Sequence, residues 1–150
     1  MKKRKIAVYA FPVLLLLVTA GLYIFKEYNR THKDTAKLKP DYSIKAAELI
    51  NDFAANESIA GKKYWDRVIL VKGNIKDINK DERGLYAIAL GDTSSMSSVR
   101  CTIDSLHSNE VSNLQIGMPI AIKGICSGFN ADELLGSDVV LVRCVVDQVK

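Results

Sequence analysis

The hydrophobic pattern divides the chain into two unlike parts. Ile6 to Phe25 (IAVYAFPVLLLLVTAGLYIF) is a run of twenty residues without a charge. At a helical rise of about 1.5 Å per residue it spans roughly 30 Å, the thickness of a bilayer's hydrocarbon core. Tyr9 and Tyr23 stand near its two ends, where amphipathic rings favour the membrane interface. Pro12 falls in the first two turns, where a missing backbone donor does least harm. The pattern predicts a transmembrane helix. A cleaved signal peptide is the competing reading, because Val18-Thr19-Ala20 resembles a small-residue cleavage site. The apolar run continues past that site through Leu22, Tyr23, Ile24 and Phe25, longer than the roughly 7–15 residues of a signal core, which favours an uncleaved anchor. No cysteine follows the run, which argues against a lipid-modified terminus.

Beyond it, Lys26 to Pro40 is polar and aperiodic, as in a linker. Ala46, Leu49, Ile50, Phe53, Ala60 and Tyr64 then fall largely on one helical face. Ser43 is the expected N-cap and Gly61 the expected end. Five strand-like runs follow: Arg67–Ile78, Leu85–Leu90, Val99–Ile103, Met118–Cys126 and Val139–Val146. Gly73 suggests a bulge or bend in the first. Alternation places Tyr86, Ile88 and Leu90 inward, then Val99, Cys101 and Ile103. Ile120, Ile122, Gly124 and Cys126 share a face in the fourth run, and Val140, Val142, Cys144 and Val146 in the fifth. A short helix over Ser108–Leu114, ended by Gly117, separates the third run from the fourth. Strand, strand, strand, helix, strand, strand is the order of a five-stranded OB barrel, with an open α+β sheet as the alternative. The expected fold is therefore mainly β: an OB-fold barrel preceded by an N-terminal α-helix, with a separate transmembrane helix. The expected division is 1–25 for the basic flank and membrane segment, 26–42 for the linker, and 43–150 for the OB domain.

Charge gives this plan an orientation. Lys2, Lys3, Arg4 and Lys5 precede the apolar run, and the sparser Lys26, Arg30 and Lys33 follow it. Cationic flanks stay on the cytoplasmic side, so the N-terminus is expected in the cytoplasm and the domain in the periplasm or outside the cell. The chain is +4 overall, but from Asp41 onward it has 12 Lys+Arg and 15 Asp+Glu, a net of −3. A nucleic-acid binder draws most of its affinity from neutralising phosphates, so a net acidic domain disfavours that class.

Several stretches resemble a known family. Ala47 to Glu57, Tyr64 and Val68–Ile75 (VILVKGNI) are similar to bacterial OB-fold proteins called tRNA_anti-like, or anticodon-binding-like. So are Val99-Arg100-Cys101, the Gly117 turn, Ile122–Gly128 (IKGICSG) and Asp138–Leu141 with Cys144. The resemblance covers about residues 43–146 and implies an OB barrel in a protein that is anchored at its N-terminus or made as a lipoprotein. It supplies no catalytic residue. It implies nucleic-acid binding by fold analogy alone. The loop Asn130–Ser137 is longer than the family pattern.

The chemistry is sparse. The two histidines, His32 and His107, have no partner at metal-ligand spacing and are expected to be ordinary surface residues. No nucleophile–base pair or metal cluster stands out, so the chain is expected to be non-catalytic, without metal or cofactor. Cys101, Cys126 and Cys144 all fall on inward faces, as buried free thiols commonly do. Export would allow a disulfide, and parallel pairing of the third and fifth barrel strands ranks Cys101–Cys144 first. OB barrels usually bind along the outer face of strands two and three. On that face and its loops the candidates are Arg83, Arg100, Thr102 and Lys123 for an anion, and Phe129 as an exposed ring. The expected partners are the bilayer, through residues 6–25, and a protein, peptide or glycan. Single-stranded nucleic acid on the same face is the alternative.

Overall fold

The computed structural model describes residues 34–147 except 83 and 133–135, together with residue 19 and residues 21–23. The membrane segment expected over 6–25 otherwise lies outside the described residues. Thr19, Gly21, Leu22 and Tyr23 are helical. Among the described residues no helix is long and apolar enough to cross a membrane. The chain divides into two units, residues 1–33 and 34–150, and the second carries the barrel.

Five strands close that barrel: β2 (Val68–Lys80), β3 (Tyr86–Leu90), β4 (Ser98–Ile103), β5 (Pro119–Asn130) and β6 (Asp138–Asp147). Their order around the wall is β2-β3-β4-β6-β5, and β5 returns to β2 through Val68↔Ile125 to Asn74↔Pro119. Only β4 and β6 run parallel within this ring. This is the OB arrangement, and it removes the open sheet edges that an unclosed sheet would expose. The inward row includes Ile69, Val71, Ile75, Ile88, Leu90, Val99 and Cys101, each with no accessible surface. A 3-10 helix over Ser105–Asn113, longer than the Ser108–Leu114 segment expected, lies between β4 and β5 and buries Val111.

Ahead of the barrel stand a four-residue strand, β1 (Tyr42–Lys45), and two helices, α1 (Ala46–Ala55) and α2 (Glu57–Tyr64). Three expectations change here. Ser43 does not cap a helix; it lies in β1, which pairs in parallel with β2 from Tyr42↔Ile69 to Lys45↔Lys72. β3 pairs with β2 only from Ile75 onward, and β1 takes the earlier part of the strand. Asp41 hooks it there, donating its amide to Val68 O at 2.7 Å and accepting Val68 N at 3.0 Å. The single helix expected to end near Gly61 is two, because Asn56 leaves helical geometry and its side chain accepts Ile59 N at 3.0 Å. A residue that caps the next helix cannot also continue the previous one. The pair is held by Tyr64, whose hydroxyl donates to Asp52 at 2.7 Å.

The third change is in β6. Val139 and Leu141 face inward, not Val140 and Val142, while Cys144 is buried as expected. Arg143 adopts φ 51°, and the ladder slips against both β4 and β5 in this region. One extra residue reverses the alternation, a shift that a strictly period-two reading cannot foresee.

Candidate binding surface

On the outer face of β3 and β4, Ala87 lies between Asn79 and Thr102, and Ala89 between Asp77 and Arg100. The floor is thus two half-buried alanines, and the flanking charges are already engaged. Arg100 donates from Nε to Asp138 at 2.6 Å, and Asp138 also accepts Ser98 Oγ at 2.6 Å. Asp77 accepts Ile78 N and Asn79 Nδ2.

The residues nominated from sequence do not converge. Arg83 lies outside the described residues. Thr102 is half-buried beside Ala87. Lys123 is not an exposed cation: it is 8% accessible, and its ammonium donates to Ala36 O at 2.9 Å. Phe129 is not on a loop. Strand β5 runs through it to Asn130, and its ring stacks on Phe53 at 5.2 Å.

His107 is also placed differently from expectation. It is half-buried, with Nδ1 2.8 Å from Glu110 and Nε2 3.1 Å from Asp34. Glu110 in turn accepts Val146 N at 3.1 Å. This clasp ties the 3-10 turn Thr35–Lys37 and the 3-10 helix to β6, and Lys123 fastens the same turn from beneath. The bond to Glu110, then the bond to Asp34 and the field of both carboxylates, raises the His107 pKa against the opposing effect of burial. Asp34 is held below its ordinary range, first by the Ala36 amide and then by His107. The histidine contribution is therefore complete below the unfolded value near 6.5 and is lost as pH rises through the folded value. The Asp34 contribution is lost as pH falls through its lowered value. The Tm advantage of the native chain over His107→Asn is expected to peak at about pH 5–6 and shrink above neutrality. A pH-independent difference in thermal denaturation would count against the clasp.

Cys101 and Cys144 do meet, as parallel pairing of β4 with β6 requires, but as thiols. Burial, and then the hydrogen bond that the Cys144 thiol makes to Cys101, raises the Cys144 pKa well above the ordinary thiol range. Burial pushes Cys126 up to about 11. Thiols held protonated in this way are poor nucleophiles and poor metal ligands.

The open recess lies elsewhere, beside β1. Between the end of β1, the middle of β2 and the turns after β3 and before β5 there is a groove of about 470 Å³. A second recess of about 390 Å³ adjoins it and reaches Pro119 and Ile120. Lys45, Lys72, Gly73 and Asn74 line both. Gly73 lets the start of α1 close on β2, since a Cβ there would lie 3.1 Å from that of Ala46. The sequence marks Gly73 as a bulge or bend but not the groove, because its other wall is a strand that only pairing with β2 creates.

The sequence matches the profile of the family described as tRNA_anti-like over residues 1–146. No curated protein matches it. Among solved structures, it is similar to a candidate nucleic acid-binding lipoprotein from Klebsiella pneumoniae, with TM-score 0.54 and 20% identity over 79% of this chain and 100% of the other. At that identity the likeness is one of fold. Asparaginyl-tRNA synthetases from Entamoeba histolytica (20% identity, TM-score 0.38, 54% of this chain and 20% of the other) and Pyrococcus horikoshii (14%, 0.40, 59% and 21%) overlap less closely. The chain spans about a fifth of each synthetase.

Proposed function

Because the chain belongs to the tRNA_anti-like family and carries its OB barrel, we propose that it is a non-catalytic binding module of the bacterial envelope. In this reading residues 6–25 anchor it in the membrane, the domain stands outside the cytoplasm, and its partner is a protein, peptide or glycan. The twenty-residue apolar run behind four consecutive cations supports the anchor and its orientation. The engaged histidine and the buried, protonated thiols support a role without chemistry.

One observation carries the choice of partner. The OB face presents Ala87 and Ala89 where a single-strand binder would place aromatic platforms, each worth about 1–3 kcal/mol per stacked base. Its arginine is neutralised by Asp138. Single-stranded nucleic-acid binding remains the second reading, supported by the described nature of the Klebsiella protein. Two measurements on the full chain test the proposal. Titration of a thymidine oligonucleotide into micelle-embedded protein at low salt is expected to give no saturable binding. Salt-dependent binding would install the second reading. Protease added outside spheroplasts is expected to digest the domain, and protection until the inner membrane is lysed would reverse the orientation.

A further inference from the structure

We infer that the groove beside β1 is a docking site for an acidic peptide segment, with Lys45 and Lys72 as its carboxylate-binding pair; this deepens the binding-module reading and rests on it. Lys45 and Lys72 are register partners on parallel neighbouring strands, so their side chains leave the sheet on the same face. Like charges directly opposite one another on a sheet are destabilising. Two exposed cations of the domain have an acid partner among the described residues, Lys63 with Asp52 and Arg100 with Asp138. Lys45 and Lys72 have no hydrogen-bond or ion-pair partner among the described residues. Neither Asp92 nor Glu48 forms an ion pair with either lysine. Asp92, on the groove wall, turns its carboxylate to Ser94 N at 2.9 Å, and Glu48 belongs to the first turn of α1. A carboxylate placed between the two ammonium groups would convert a repulsive pair into two charge-assisted contacts.

The shape of the groove favours a peptide over other anions. It runs from the polar turn at Asp92 and Thr93, past the lysines, to an apolar end at Pro119 and Ile120. Ile116 and Met118 stand exposed in the turn leading into β5, at 62% and 41% accessibility. An extended chain advances roughly 3.3 Å per residue and points alternate side chains the same way. It can therefore set an acid at the lysines and an apolar side chain at Pro119. A nucleic acid would need a ring to stack on, and none of the residues lining either recess is aromatic.

The test uses the full chain, isotope-labelled, in zwitterionic micelles, and three probes: a short peptide of alternating Glu and Leu, its Gln counterpart, and a thymidine oligonucleotide. The acidic peptide is expected to shift the backbone amides of residues 45–47, 72–74 and 91–93 saturably, and the Gln peptide to bind at least about tenfold more weakly. The double variant Lys45→Gln/Lys72→Gln is expected to lose the same tenfold or more while melting no lower than the native chain, because the like-charge contact is gone. Lys62→Gln, on the surface of α2, is expected to bind normally. Equal binding of the two peptides, unchanged binding by the double variant, or shifts confined to another face would overturn the site. Shifts of this groove by the oligonucleotide alone would overturn the peptide as occupant. Oligonucleotide binding on the β3–β4 face would instead refute the broader reading and leave the acidic-peptide result to be judged by its own shifts.

Discussion

Phe53→Ala is expected to destabilise the domain by about 3–5 kcal/mol, the range for removing a fully buried aromatic ring. Phe53 is 1% accessible and sits at the centre of the contact between the helices and the barrel. Its ring stacks on Phe129 of β5 at 5.2 Å and leans on Tyr64 of α2 at 5.9 Å, and Tyr64 meets Tyr42 of β1 edge-on at 5.3 Å. One side chain thus joins α1 to elements up to 76 positions away in sequence, from residue 53 to residue 129. Aromatic pairs of this kind add about 0.5–1.5 kcal/mol beyond their buried area. Thermal melts of the full chain in micelles should show a Tm lowered by roughly 10 °C or more. A loss below about 1 kcal/mol, at the level of a typical surface change, would mean that the helices do not cap the barrel in this way.

Gly124→Ala is expected to cost about 1–3 kcal/mol through overpacking, with Cys144→Ala restoring part of the loss. Gly124 faces inward on β5, and a Cβ there would lie 2.5 Å from the Cys144 sulfur and 3.2 Å from the Leu141 Cβ. No rotamer of the new methyl relieves this, since a Cβ has no torsion of its own. Removing the sulfur takes away the closer contact and leaves the one to Leu141. The double variant should therefore be more stable than the sum of the two single losses predicts, with a coupling of about 0.5–3 kcal/mol between the neighbours. Additive losses would show that the glycine and the cysteine do not touch. The same contact explains why a small, polarisable thiol occupies this position: it fills the space a glycine leaves, next to Cys101, without needing a partner outside the core.

How far the candidate site could be foreseen follows from the same distinction between local and distant contacts. Arg100 and Thr102 fall on the outward face of β4, as alternation requires, because the pairing of that strand with β3 is regular from Val99 to Thr102. Lys123 alternates with Ile122, yet its ammonium is spent on Ala36, 87 residues earlier in the chain. Its neighbours in sequence give no sign of that carbonyl. Phe129 falls outside the expected run Met118–Cys126 and so reads as a loop residue, whereas β5 continues to Asn130 and pairs with β6.

The sequence by itself determined the five extended runs, their order around a short helix, the inward faces of β3 to β5 and the apolar character of residues 6–25. Each of these follows from the period and length of a local pattern, which burial or lipid must answer whatever the rest of the chain does. Only the tertiary structure decided the added strand β1, the break at Asn56, the slipped phase of β6 and the clasp at His107. In each case the deciding partner is remote or the conformation departs from the regular period: the edge of β2 that β3 leaves open before Ile75, a cap that competes with the helix, a single residue at positive φ, and carboxylates 3 and 73 positions away. The groove belongs to this second class, since its two lysines, 27 positions apart, become neighbours only through the pairing of β1 with β2.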